Sequence, residues 1–594
     1  MQELYDRSSS TFSSRPHFLG YAIPLLPSLL AIFIVSRVIK LLSGIRAVNQ
    51  LPGLWVPLQP LSNPSGLLKT SWWNIGVGSN WYWRGRLYKD LGSETIAVVP
   101  FLIGVPTLFT SNLDVARQIL SGQAQGHGLK ERHFDKSEAM GRMIMKWGMN
   151  LVAARTSDDV WRKHRRIVGS AFNNQLYELV WTETLNTYRQ MEAAESWDTK
   201  DTVDVPIVPH ITSKMALLII ARCGFGFSFD WTAPPMGPDG TMSVQESLRI
   251  LADSSIVSLM APDWVRYLPL PGFDKIRTAF GQFSAFMRRE IEARTREVRS
   301  AGDGDAEGAD ARTDAFTILV RANERETGKF RLDAQEVVSF SFGCFDAWGN
   351  RFLSGRGQIG NVFVMLFAGY ETTGHTLSAT LALLAIHQDV QDEILEQIVS
   401  VVGYDRDPTY ADYEKLDKVL SAFYEALRLF PTAYLIMREA TEDTVLDLPN
   451  AVGQEGSTPF AVTKGTSTSS ASVRIPMPTR TALDSLTLPT EYNPRYHEDP
   501  QSFKSSRWHG TGEPEPFVGF STGPRACIGR KFATTEAVVF LTMLLRDWRI
   551  EPMCRDGESN DAWAERAFAH PVFNFTLSVR DTPVRFVRRE RRGV

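Results

Sequence analysis

The chain has 594 residues, 43% hydrophobic and 22% charged, which lies within ordinary globular composition and is long enough to bury a large core. A formal net charge of −3 supplies no basic field for counterion release, so the composition argues against nucleic acid as a partner. The four cysteines, Cys223, Cys344, Cys527 and Cys554, are scattered without a CxxC pair, which suggests neither a disulfide framework nor a zinc finger and points to a reducing compartment.

From the N-terminus, Phe18 to Ser36 (FLGYAIPLLPSLLAIFIVS) is uncharged and approaches the roughly 20 residues that span a hydrocarbon core, so it is read as a single-pass anchor. A cleaved signal peptide and a buried core helix are the competing readings, and no small-residue cleavage site is present. Arg37, Lys40 and Arg46 follow it, which by the positive-inside rule leaves the body on the cytoplasmic side. LPGLWVPLQP (Leu51 to Pro60) reads as a stiff, proline-set exit from the membrane. The expected organisation is an anchor segment over 1–46, a proline-containing hinge over 47–87 and a catalytic body over 88–594.

Tyr88 to Leu120 predicts short strands followed by an amphipathic helix. Helical periodicity then dominates at Ile211–Cys223, Phe273–Arg299, Asn361–His387, Val390–Val402, Tyr413–Phe430 and Ile528–Trp548, so the fold class is mainly α with small β elements. An acidic, glycine-rich stretch after Ser300 and a Ser/Thr-rich stretch after Lys464 read as loops.

Four short stretches carry chemistry. FSTGPRACIG (Phe520 to Gly529) sets Cys527 just before a helix, whose N-terminal partial positive charge favours a thiolate. Gly523 and Gly529 allow tight turning and close approach of a flat ligand, Arg525 offers a partner for an acidic group, and Phe520 shields one side. EALRLFP places Glu425 and Arg428 at i, i+3, and VWRKHRRIVGSAF places Trp161 and Arg165 at i, i+4, where an indole N–H and a guanidinium can address one anion. MLFAGYETTGHT places the small Ala368 and Gly369 beside Glu371 and Thr372, a carboxylate and an alcohol suited to proton delivery.

Taken together and in this order, the stretches resemble the cytochrome P-450 family, in the style of microsomal and fungal members, over roughly Tyr88 to Arg588. F-x-x-G-x-R-x-C-x-G resembles the family's heme loop, which implies heme b with Cys527 as the thiolate ligand to iron. Glu425 and Arg428 resemble E-x-x-R, with Arg507 of DPQSFKSSRW as the third member of a structural network. Ser505 stands there where the family usually has proline, which leaves that segment with less built-in rigidity. Trp161 and Arg165 resemble the pair that meets a heme propionate, with Arg438 as a further propionate partner. Glu371 and Thr372 match [AG]-G-x-[DE]-T-[TS], implying that they deliver protons to dioxygen so that one oxygen atom leaves as water.

The resemblance implies a P-450 fold behind an N-terminal membrane anchor and a monooxygenase inserting one atom of O2 into a hydrophobic small molecule. The apolar TAYLIM after Pro431 suits a terpenoid, fatty or aromatic substrate of secondary metabolism. It also implies NADPH-cytochrome P-450 reductase as electron donor and an endoplasmic-reticulum location. The rival readings are a heme-thiolate isomerase or dehydratase working without a reductase, and a non-catalytic heme-binding product. The second arises from two apparent insertions, at 339–358 and 466–490. The first has the look of a translated intron, since Val-Ser can encode a GTGAGT donor and Gln358 a CAG acceptor.

Overall fold

The computed structural model describes residues 18–590 apart from 61, 77, 85, 122–132, 138–140, 142–143, 145–149, 157–158, 238–239, 255–270, 301–313, 327–360, 451–453, 465–481, 486–489, 511–516 and 574–575. The stretch 339–358 lies outside these residues, as does 466–490 apart from 482–485 and Thr490.

The N-terminal helix α1 (Phe18–Ala47) runs eleven residues past the expected anchor. Leu29, Leu30 and Ile32 to Val35 on it are exposed. Beyond them the helix turns protein-facing. Arg37 Nη1 and Lys40 Nζ donate to the Leu102 carbonyl at 3.2 and 3.0 Å, and Leu41, Ile45 and Val48 pack against Ala97 and Val99. Its C-terminal turns are thereby joined to the body by polar and apolar contacts together.

A six-stranded sheet receives this helix. In chain order its strands are β1 (Gly53–Leu58), β2 (Thr95–Ile103), β3 (Thr107–Thr110), β4 (Phe134–Asp135), β5 (Ile436–Ala440) and β6 (Ala482–Ser485), and in space they run β1-β2-β3-β6-β5-β4. The stretch expected to be a stiff exit is therefore an edge strand, parallel to β2. An edge tolerates Pro57 because an outward-facing position needs no ladder N–H. Strand β6 falls within the Ser/Thr-rich stretch expected to interrupt the body; it pairs with β3 and β5 and closes the gap between them.

Helices make up the larger layer. After α2 (Leu113–Ser121) and α3 (Asp159–Gly169), the 21-residue α4 (Asn174–Ala194) was not anticipated from periodicity. Asn173 caps it, accepting from the Leu176 N–H at 3.1 Å. Helix α5 (Val208–Ile219) continues into a π turn, Ile220–Gly224. The 26-residue α6 (Asn361–Ile386), α7 (Asp417–Leu429) and α8 (Arg530–Asp547) complete the core set. One hydrophobic cluster draws on α4 to α8 together.

Helix α6 is apolar on nearly every side, the pattern of a helix buried among others. A Cβ on Gly374 would lie 2.8 Å from Ser213 Cα of α5, so this glycine permits the helix contact. A Cβ on Gly369 would lie 2.9 Å from Ile220 side-chain atoms. Its smallness thus admits Ile220.

Candidate active site

The loop before α8 folds tightly around its own backbone. Ser521 and Gly523 have φ of 60° and 70°, and Gly523–Arg525 forms a single 3-10 turn. The Cys527 N–H donates to the Phe520 carbonyl at 2.9 Å, and the Ala526 N–H to Gly523 at 3.0 Å. Gly529 then caps α8 with φ of −86°. A Cβ there would come no closer than 3.9 Å to the protein, at Phe172, so neither backbone strain nor a protein neighbour requires this glycine.

Cys527 is accessible to solvent yet deeply surrounded by protein, the combination expected of a sulfur on the wall of an interior cleft. Burial raises its thiol pKa, while the Gly529 N–H and the Arg165 and Arg530 guanidiniums oppose the rise. Arg165 Nη1 also donates to the Ala526 carbonyl at 3.3 Å, which fixes the cation beside the sulfur. Phe520 sits edge-on to Tyr424 with ring centroids 6.2 Å apart, and the Arg530 guanidinium lies 5.6 Å from its ring centre.

Arg525 turns toward the segment before α3. It donates to Thr156 Oγ1 at 2.7 Å, to the Leu151 carbonyl at 2.8 Å and to the Ala154 carbonyl, and lies over the Trp161 ring at 5.0 Å. Arg438 is 9% exposed, and burial lowers its pKa to about 10, with Asp135 opposing the shift. Lys136, which no sequence motif marked, is buried beside both arginines; desolvation and the two like charges lower its pKa, and Asp135 again opposes. Three cations thus converge on a region where Asp135 is the opposing carboxylate.

On α6, Ala368 is exposed although the helix around it is buried, so an open space borders this turn. The Thr372 hydroxyl donates to the Ala368 carbonyl at 2.7 Å, and Thr376 to Thr372 at 2.8 Å. Such back-bonds satisfy hydroxyls inside an apolar helix. Glu371 is 3% exposed and accepts on Oε1 from Thr576 Oγ1 at 2.8 Å. Its Oε2 is buried without a hydrogen-bond partner among the described residues. Burial raises the Glu371 pKa to about 7, Thr576 opposes, and the Asp253 charge adds to the rise. His375 Nδ1 lies 2.9 Å from the same Thr576 hydroxyl. Neither Thr576 nor His375 belonged to the expected set.

Glu425 and Arg428 form a buried bidentate pair, and Arg507 Nε joins Glu425 Oε1 at 3.2 Å. The Lys504 N–H and Trp508 Nε1, both at 2.9 Å, complete the carboxylate's partners. Ser505 sits in the 3-10 turn Ser505–Trp508 between them, so hydrogen bonds supply the rigidity that a proline would have given. A mixed-charge groove of about 840 Å³ involving Glu183, Arg189, Arg222 and Asp314 shares none of these residues.

A deep but accessible sulfur, a cluster of buried cations and an open turn on α6 fit a flat, dianionic, iron-bearing macrocycle. The cytochrome P-450 family model matches residues 101–347, 352–448 and 476–572. The chain belongs to the cytochrome P-450 family. Within the stretch 339–358 this match leaves only residues 348–351 uncovered, while residues 449–475 form the longer gap.

Cytochrome P-450 monooxygenase 124 of Postia placenta is 30% identical over 526 residues, covering 88% of this chain and 90% of the relative. Cytochrome P-450 monooxygenase prx9 of Penicillium rubens is 25% identical over 511 residues, covering 79% of this chain and 78% of the relative. Cyclooctat-9-en-7-ol 5-monooxygenase of Streptomyces melanosporofaciens is 26% identical over 446 residues, 74% of this chain and 79% of the relative. Among solved structures, the cytochrome P-450DA heme domain matches with a TM-score of 0.62 at 19% identity, covering 90% of this chain and 98% of that one. This P-450 is accordingly a fungal-like heme-thiolate monooxygenase, an oxidoreductase whose cofactor is heme with cysteine thiolate ligation.

Proposed function

We propose that Cys527 holds the heme iron, that Arg438, Arg525, Trp161 and Arg165 hold the rest of the cofactor from the propionate side and beside the sulfur, and that Lys136 joins them. The observation that carries this reading is the placement of an accessible sulfur beside Arg165, at the mouth of α8. When bound, heme supplies the site for dioxygen activation. Phe520 and Arg530 shield the sulfur's side of the loop, Gly523 sets its turn, and Gly529 leaves room for the macrocycle.

Glu371 and Thr372 are the proton-delivering pair. A carboxyl with a pKa near 7 can both take up and release a proton at neutral pH, the condition for general acid-base work. Thr372 borders the open turn at Ala368, where its hydroxyl is held in place by the helix backbone. The substrate is a hydrophobic small molecule of secondary metabolism, terpenoid, fatty or aromatic. Thr432 and Tyr434, buried within an otherwise partly exposed stretch after Pro431, with Phe573 5.7 Å from the Tyr434 ring, supply one wall for such a compound.

The chain takes its electrons from NADPH-cytochrome P-450 reductase and works at the endoplasmic-reticulum membrane with its body in the cytoplasm. Pro27–Ala47 is long and apolar enough to cross a bilayer. Trp72, 87% exposed, with Trp55, Trp73 and Tyr82, places amphipathic rings near the end of α1 in sequence, a composition suited to a membrane interface. Reconstitution with the reductase, NADPH and isotopically labelled dioxygen tests the reading against a panel of terpenoid, fatty and aromatic compounds. One labelled oxygen atom in the product is expected. NADPH-independent conversion, or product without label, would overturn it.

A further inference from the structure

The Thr576 hydroxyl stands between two side chains of α6 one turn apart, with Glu371 Oε1 at 2.8 Å and His375 Nδ1 at 2.9 Å. A hydroxyl has one proton to give. If Thr576 gives it to Glu371, its oxygen is left to accept from His375, which then carries its proton on Nδ1. Burial lowers the His375 pKa to about 4, so the ring is neutral at physiological pH and has a single N–H to place. Glu371 Oε2, by contrast, is buried with no hydrogen-bond partner among the described residues.

We propose that His375 is a positioning residue for proton delivery: its Nδ1–H holds the Thr576 hydroxyl as a donor to Glu371 Oε1, so that Glu371 takes up and hands on its proton at Oε2. The carboxylate then gains a proton at Oε2 from water and later loses that same proton toward the reacting oxygen. The imidazole neither gains nor loses charge. Without His375 the Thr576 hydroxyl is free to rotate away, the ionised carboxylate loses its donor, and the two oxygens become equivalent. Among the described residues, the other titratable groups that act on this carboxyl or feel it are Tyr370 beside it on α6 and Asp253 at the end of helix Val244–Asp253, which in turn feels His210.

This inference rests on the reading of Glu371 as the proton-delivering group, and the test separates the two. Infrared difference spectra of the full-length holoprotein across a pH series report the protonated-carboxyl band, assigned by its loss in Glu371→Gln. Thr576→Val should raise the pH at which that band titrates by about one unit, because a donor to the ionised form is lost. His375→Leu should move it in the same direction, His375→Gln, which keeps an N–H donor, should return it toward the native value, and His375→Leu should add nothing on the Thr576→Val background. Nitrogen-15 spectra of the histidine ring should show a proton on Nδ1 in the native protein. An unmoved band in His375→Leu, an additive shift in the double variant, or a proton on Nε2 alone would overturn the proposal. Coupling of NADPH use to product that survives in Glu371→Gln would instead overturn the underlying reading of Glu371.

Discussion

Glu425 receives two arms of the Arg428 guanidinium, Nε at 2.9 Å and Nη2 at 2.8 Å, with neither side chain exposed at all. The remaining arginine protons reach the Glu491, Pro500 and Ser502 carbonyls. This pair therefore ties α7 to the segment that leads into the cysteine loop. Removing one partner of a buried pair leaves an uncompensated charge, at a cost of about 3–5 kcal/mol. Glu425→Ala or Arg428→Ala should lower thermal stability by that order and yield protein with little bound heme, read by calorimetry and by the heme-to-protein absorbance ratio.

The cation cluster predicts effects of opposite sign on the empty and loaded protein. Lys136 is buried against Arg438 and Arg525, so its charge costs stability until an anion arrives. Lys136→Met should stabilise the heme-free chain against urea and speed heme transfer to apomyoglobin from the loaded one. Equal destabilisation of both forms would assign Lys136 to the core alone.

The two loop glycines should respond differently to alanine. Gly523 has φ of 70°, and a Cβ would lie 3.3 Å from the Leu120 carbonyl oxygen, so Gly523→Ala should cost about 1–2 kcal/mol of stability. Gly529 has neither constraint. Gly529→Ala should leave the heme-free protein's unfolding curve unchanged and weaken heme retention, because the added methyl occupies space meant for the cofactor.

Glu371 sets a pH dependence whose sign follows from its raised pKa. The folded protein holds this proton up to about pH 7, whereas an unfolded glutamate loses it near 4.5. Stability is fully present below 4.5 and falls as pH rises toward 7, by an amount on the order of 3 kcal/mol. Glu371→Gln should flatten that decline in melting temperature measured across the same range. It should also cut product per NADPH about tenfold or more, as should Thr372→Ala, since positioned proton transfer is worth about 10²- to 10⁴-fold.

What could be read from the chain followed the length scale of each interaction. The cysteine loop, the Glu425–Arg428 pair and the Glu371–Thr372 pair lie within a turn or two, so their residue types and spacing carry them. Thr576 meets Glu371 from 205 positions away, and Trp508 meets Glu425 from 83. Such pairings leave no period in sequence. Lys136 was invisible for a related reason: the two arginines whose charges act on it, Arg438 and Arg525, stand 300 and more positions away in the chain. Strand β1 was missed because its proline and glycine mimic a linker, and only its parallel pairing with β2 makes it a strand. Gly369 shows the converse: its place in the motif was legible, but its contact with Ile220 of the π turn was not.

The bond between the Cys527 sulfur and heme iron is tested most directly by the absorption spectrum of the reduced, carbon monoxide-bound, full-length protein, compared with Cys527→Ser. The native chain should show the long-wavelength Soret band of thiolate ligation, and the variant should lose that band while still binding some heme. A native spectrum of the histidine-ligated type, or a thiolate band that persists in Cys527→Ser, would contradict the assignment.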